Sequence, residues 1–404
     1  MATDTKDLAE ELEQSEAEPL GAAADAESSD EAIEDQIVKQ PFRVIYQTNN
    51  FFLPQIKDLI KAGEDVNLRP EYQRRLRWTT QQKSLLIESL LLNVPVPPVF
   101  FYENDLARYE VMDGQQRLSS IKEFLNNEYS LRGLQIIPTL NGKNYARLPT
   151  KVKRSLDRAS ISAIVLLQES QGKLKRPNSN RVYELRRFVF ERLNTGGKRL
   201  TAQEIRNAVY GGEFNNLIVT LSRNATFTRI WGIPPYVEND YGDYYEDEER
   251  QKNSLYRTMG DCQLVLRYFA LDNDAHIVGS LRSMLDRCME RNLSASKEEC
   301  AAFGETYLKV LSLADAIFDG RPFSLSPDPN EYRPLAGIYD GVMVALGGML
   351  QHGDTLVDKR IDIQTAYHKL VNAKGRGQFT GVASTAQDVK GRIAEFRKLF
   401  ASFL

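Results

Sequence analysis

The chain has 404 residues, 42% of them apolar and 26% charged, with three cysteines and a formal net charge of −3. That length exceeds one ordinary core and suits two, and the composition is that of a soluble globular protein. Apolar runs break at charge or Pro well short of the roughly 18 residues a membrane span needs, no basic and apolar leader opens the chain, and Cys262, Cys288 and Cys300 form no CxxC pair, which argues against a membrane protein, a secretory signal, a zinc site and a disulfide framework and points to a reducing cytoplasm.

Residues 1–35 hold 13 Asp/Glu against one Lys, so a local charge of −12 sits beside a remainder that carries +9. An Ala/Glu/Ser/Asp segment of this kind buries too little apolar surface to fold alone, and residues 1–38 are expected to be a disordered tail. Its role is solubility or, as the sharper alternative, a self-masking mimic of nucleic acid over a basic face.

Folded structure is expected to begin with a short strand at FRVIYQ and a helix around FFLPQIKDLIKAG, residues 42–63. Thr79 or Thr80 can cap a helix running to about Leu92, with Leu85, Leu86, Leu90 and Leu91 as its apolar stripe. VPVPP cannot continue that helix and delivers an extended segment at Val99–Tyr102. A second strand at Arg108–Met112 leads into a helix whose buried face is Leu118, Ile121, Phe124 and Leu125. Residues 134–170 read as a further strand-like pair, with SAIVLLQE the most apolar part. VYELRRFVFERLNT restores helical periodicity, and Thr201 with Glu204 forms a capping box for another helix. Beyond about residue 215 the signals are mostly helical, as in SLYRTMGDCQLVLRYFAL and DVKGRIAEFRKLF. The expected fold class is α+β: a mixed domain at 39–212 followed by a helical domain at 213–404.

The polar residues Asp113, Gln115, Gln116 and Arg117 crowd the point where YEVMD gives way to a helix. A helix N-terminus offers unpaired N–H groups and about half a positive charge, so it attracts phosphate. Gly114 lets a ligand approach the backbone, and Arg117 can clamp an oxygen pair. Asp113 can hold a metal ion, a water or a ribose hydroxyl, while Gln115 and Gln116 can orient a water or read a base edge. The plainer alternative is an Asp N-cap on a helix with exposed glutamines. RPEYQRRLRW, residues 69–78, gathers Arg69, Arg74, Arg75 and Arg77 with Tyr72 and Trp78, which suits phosphate or nucleic acid as well as a solvated basic loop. Asn194, Thr195, Gly196 and Gly197 form a small-residue loop able to turn amides toward an anion; on local grounds alone it is a helix end followed by the next helix's cap.

The order PEYQRRLRW, LLIESLLLNVPVPPVFFYE, YEVMDGQQRLSSIKEFL and FERLNTGGKRLTAQEIRNAVY resembles the N-terminal domain family of GmrSD-type restriction endonucleases, which is related to the ParB/sulfiredoxin fold. The resemblance covers roughly residues 45–210, and LYRTMGDCQLVLRYFAL and FTGVASTAQDVKGRIAEF are similar to later segments of long members. It implies nucleotide binding and nucleoside triphosphate hydrolysis in defence against foreign DNA. Asp113, Gln115 and Arg117 are then the catalytic candidates. Gln73, Arg74, Gly114, Gln116, Asn194, Thr195, Gly196 and Gly197 become nucleotide contacts, and Arg69, Arg75 and Arg77 become DNA contacts. A nucleoside triphosphate of unspecified base is the implied ligand, Mg²⁺ its companion, and the metal ligands are unassigned.

Many restriction members add a His-Asn-His nuclease domain. Here His276, His352 and His368 lie in no matching context, so that nuclease is expected to be absent and a separate effector or nuclease subunit becomes a candidate partner. DNA and a second copy are further candidate partners. No GxxxxGKS or GxxxxGKT loop and no GxSxG elbow occurs, which argues against a Walker-type ATPase and a serine hydrolase. VENDYGDYYEDEERQ, residues 237–251, has seven acidic residues at a spacing that fits no calcium loop and reads as a flexible acidic loop. Alternatives to the NTPase are a DNA-binding module without catalysis, a ParB-like metal-dependent nuclease, and a structural scaffold.

Overall fold

Alternation in SISAIVL, Ser160–Leu166, turns Ile161, Ala163 and Val165 to one side, and all three are fully buried. The computed structural model describes residues 5–16, 44–61, 66–67, 78–105, 108–167, 185–190, 192, 200–236, 248–379 and 384–404. The chain forms two compact units, one of residues 24–199 and one of residues 1–23 with 200–404.

In the unit of residues 24–199, five strands pair in the order β1-β5-β3-β4-β2. They are β1 Tyr46–Phe52, β2 Val66–Asn67, β3 Val99–Asp105, β4 Arg108–Asp113 and β5 Ser160–Leu166. β1 and β5 run antiparallel with Phe52 opposite Ser160, so Phe51 and Phe52 extend the strand and are not the start of the following helix. β3 is parallel to β5 and antiparallel to β4, and β2 is parallel to β4. Pairing between β3 and β4 shifts register twice, at Phe100/Phe101 and Glu103/Asp105.

With a helix at Thr5–Ser15 as α1, the longer helices among the described residues of this unit are α2 Leu53–Lys61, α3 Thr80–Leu91, α4 Gln115–Leu125 and α5 Thr150–Arg158. Thr79 caps α3 through a box with Gln82. Leu53, Ile56, Ile87, Leu118, Ile121 and Phe124 from these helices form one buried cluster with Phe101, Val111 and Val165 of the sheet. Residues 134–148 hold no second strand: they run through short 3-10 turns at Pro138–Leu140 and Tyr145–Arg147. Glu88 of α3 secures that segment, its carboxylate accepting from the backbone N–H of Gln135, Ile136 and Ile137. The stretch 185–190 is helical and buries Leu185 and Phe190.

The other unit is helical, giving the α+β class expected for the chain. Its main helices are α6 Ala202–Val209, α7 Glu213–Leu221, α8 Gly260–Leu271, α9 Leu281–Arg291, α10 Lys297–Ile317, α11 Ala336–Gly347, α12 Arg360–Lys374 and α13 Ala386–Ala401. α8 is buried on every side, as α11 is from Ala336 to Leu346, the mark of central helices in a large core. α11 crosses α13 closely, since a Cβ at Gly341 would overlap the Phe396 ring.

By contacts, α6 groups with α8 and α9 in the unit that resumes at residue 200, while the expected domains meet at 212. Residues 5–16, expected in the disordered tail, carry helix α1 with Leu8, Ala9 and Leu12 buried. An i, i+4 apolar pair inside the acidic run supplies the face that the overall composition hides. Residues 17–38 lie outside the described residues.

Candidate functional site

β4 delivers Asp113 as its last residue, and Gly114 then turns the chain into α4. Gly114 has φ +94, a left-handed conformation that an L side chain rarely adopts. A Cβ there would also come 2.5 Å from Val99 Cγ1 and 3.0 Å from Arg117 Nη2, so conformation and close approach both select glycine. The helix cap is therefore Gly114, which supplies no side-chain cap, and the alternative of an Asp N-cap is not what forms.

Asp113 instead faces forward one turn along the chain. Its Oδ2 accepts from Arg117 Nη2 at 2.8 Å, and the same nitrogen donates to the Pro98 carbonyl at 3.1 Å. The Arg117 side chain is only 14% exposed against 39% for Asp113. Arg117 Nε is buried without a hydrogen-bond partner among the described residues. The guanidinium is thus held on one edge, and its Nε completes no bond within the described protein.

Gln116 holds a structural bond at the junction. Its Oε1 accepts from the Trp78 backbone N–H at 3.1 Å, fixing the end of RPEYQRRLRW against the first turn of α4. Gln115 is buried, with 8% exposure, so it belongs to the wall of the junction more than to its surface. Ser120 Oγ donates to the Gln116 carbonyl and steadies the same turn.

Arg69, Gln73, Arg74, Arg75 and Arg77 lie outside the described residues, as do Asn194, Thr195, Gly196 and Gly197. The flanks of the first group are described. β2 ends at Asn67, paired with Glu110 of β4 and running in the same direction. The chain resumes at Trp78 on Gln116. The described flanks, Asn67 and Trp78, thus bond to the strand and the helix that carry Asp113 and Arg117.

A buried ion pair escaped the sequence reading. Arg186 Nη2 lies 2.5 Å from Glu110 Oε2, and its guanidinium stands 5.1 Å from the Tyr102 ring centroid. This fixes residues 185–190 to the face of β4 opposite Val111, which lies in the main core. The available signal was a lone Glu in the otherwise apolar stretch YEVM. Among the described residues no group of three or more His, Cys, Asp or Glu is placed to hold a metal ion. The acidic tract 237–251 is described only from Glu248, where a short helix Glu248–Lys252 begins. No helix among the described residues is long and apolar enough to cross a membrane.

Residues 56–211 match the family described as GmrSD restriction endonuclease, N-terminal domain. The match spans every candidate residue named above, including those at 69–77 and 194–197. No curated protein and no solved structure matches the chain.

Proposed function

We propose, from the match of residues 56–211 to the GmrSD restriction endonuclease N-terminal domain family, that the chain is a component of a restriction or defence system and that its Asp113–Arg117 junction binds and hydrolyses a nucleoside triphosphate. The observation that carries this reading is the Arg117 fork held at the start of α4 by Asp113 and the Pro98 carbonyl, with its Nε unbonded among the described residues.

Asp113 and Arg117 neutralise each other, so the pair alone cannot offset a triphosphate. Arg69, Arg74, Arg75 and Arg77, which lie between Asn67 and Trp78 in the sequence, are the guanidinia this reading calls on, with Gln73 as a further donor. The N-terminal end of α4 favours a phosphate oxygen. Asn194, Thr195, Gly196 and Gly197 form the second wall in this reading. Asp113 keeps the Arg117 fork in plane and, being partly exposed, has room to orient an attacking water, with Gln115 as a second polar group beside it.

Hydrolysis adds water to the γ-phosphorus, breaks its bond to the β-phosphate oxygen and yields a diphosphate and inorganic phosphate. Mg²⁺ is suited to a site with one protein carboxylate, because it takes its other ligands from phosphates and water. Asp113 would be that carboxylate, since Glu110 is committed to Arg186 on the other face of the strand. When bound, the ion would neutralise phosphate charge.

Nucleotide state then controls contact with DNA or with a separate effector subunit. The +9 charge outside the acidic run and the Arg69, Arg75 and Arg77 side chains favour DNA phosphates as that contact. The test is phosphate release from ATP, GTP, CTP and UTP with Mg²⁺. At least one should be turned over, and Asp113→Asn should lower turnover at least tenfold in a protein with unchanged circular dichroism. Equal turnover by the variant and the parent, or none from any nucleotide, would reject the hydrolase.

A further inference from the structure

Helix α1 and the residue that follows it are seated as a ligand is seated. Leu8 and Leu12 are 2% and 1% exposed, and a Cβ on Gly260 would meet Leu12 Cδ1 at 3.1 Å. At the start of the helix, Asp7 Oδ2 accepts from Arg333 Nη2 at 2.7 Å and Thr5 Oγ1 accepts from the Ser254 backbone N–H at 3.3 Å. At its end, the buried Glu16 carboxylate accepts from Arg206 Nη1 at 2.8 Å and Nη2 at 2.5 Å, and from Gln263 Nε2 at 2.5 Å.

The receiving half is organised by residues outside α1. Arg206 Nε donates to Asp286 Oδ1 at 2.7 Å, which sets the guanidinium plane and turns the Nη1/Nη2 edge toward Glu16. Arg267 is held in the same manner by both oxygens of Asp340 and reaches Ser15 Oγ at 3.3 Å. The result is a groove that reads two apolar side chains one turn apart, flanked by a rim carboxylate and a deep one.

Two physical considerations favour a reversible seating. An isolated helix of eleven residues is marginal in water, so α1 must be ordered as it docks, and ordering offsets much of the gain from burying Leu8, Ala9 and Leu12. A buried ion pair contributes little net free energy because both charges give up water, although it strongly penalises a partner that lacks the carboxylate. Selectivity without tight retention is the outcome.

We propose that residues 5–16 are a releasable latch: an acidic amphipathic helix that this chain supplies to a carboxylate-reading groove in its own 200–404 unit. Release bares the Arg206 Nη1/Nη2 edge and the pocket for Leu8 and Leu12.

The test keeps the full chain. A protease site inserted between Ala24 and Asp25 is cut after purification, and a labelled synthetic peptide of residues 1–23 is added. Exchange of the labelled peptide into the protein is expected, reversed by unlabelled peptide. Peptides with Glu16→Gln or Leu12→Glu should compete at least tenfold less well, and Asp7→Asn, at the rim, less than fivefold less well. Because these changes are in the peptide, folding of the protein is not at stake. A cut segment that never exchanges over days would make α1 a permanent part of the core. A segment that leaves without the peptide ever binding, or equal competition by all peptides, would remove the groove. Each of these results overturns the latch.

Discussion

Arg117 and Asp113 are joined across one helical turn by a 2.8 Å hydrogen bond that also places Arg117 on the Pro98 carbonyl. With Asp113 partly exposed, the pair itself is worth no more than about 1 kcal/mol. Its value lies in orientation of the fork. Arg117→Ala should therefore leave the melting temperature within a few degrees of the parent while lowering nucleotide affinity at least tenfold, and Arg117→Lys should restore little, since an ammonium lacks the planar fork. Paired calorimetric melts and binding titrations check this.

Gly114→Ala should be costly for structural reasons. Positive φ and overlap with Val99 Cγ1 act together, and the loss should be about 2–4 kcal/mol in denaturant unfolding. Adding Val99→Ala relieves only the overlap, so the double variant should fall short of additivity yet stay below the parent in stability.

Glu88 gives a pH-dependent contribution. Burial opposes its charge, but N–H donors from Ile137, Ile136 and Gln135 prevail and hold its carboxyl below the usual range. A lowered folded value means that the stabilisation is present above the unfolded carboxyl range and is lost as pH falls through the folded value. Glu88→Gln should cost about 1.5–3 kcal/mol at pH 7, and the difference from the parent should shrink in acid. Urea titrations at pH 7 and pH 3 measure it.

The cysteines should be inert in the native protein. All three are buried and outside any disulfide, and burial pushes the Cys288 thiol up to about 12 and raises Cys300 as well. A thiol reagent at pH 8 should label none within an hour and all three in guanidinium.

How much of this was legible follows from the range of each interaction. The capping boxes Thr79/Gln82 and Thr201/Glu204 span three residues and obey a local rule, so the helix starts could be read directly. The strand-to-helix knot was visible because Asp113, Gly114 and Arg117 are neighbours in sequence. That Asp113 would turn to Arg117 and leave the cap to Gly114 depends on a backbone φ that residue types alone do not fix. Glu110 with Arg186 joins distant parts of the chain, and Trp78 with Gln116 uses a backbone N–H, neither of which leaves a periodic trace. Helix α1 was hidden by averaging, since a net charge of −12 over residues 1–35 masks the one spacing that matters, Leu8 to Leu12.

The central claim is that the junction of β4 and α4 holds a triphosphate. Equilibrium binding of ATP, GTP, CTP and UTP, with Mg²⁺, to the parent and to Arg117→Ala tests it most directly. One nucleotide should bind the parent and stabilise it by about 2.7 kcal/mol when present at about 100 times its dissociation constant, with the effect largely gone in the variant. Binding of equal strength by a correctly folded Arg117→Ala protein, or no binding by the parent to any of the four, would contradict the account.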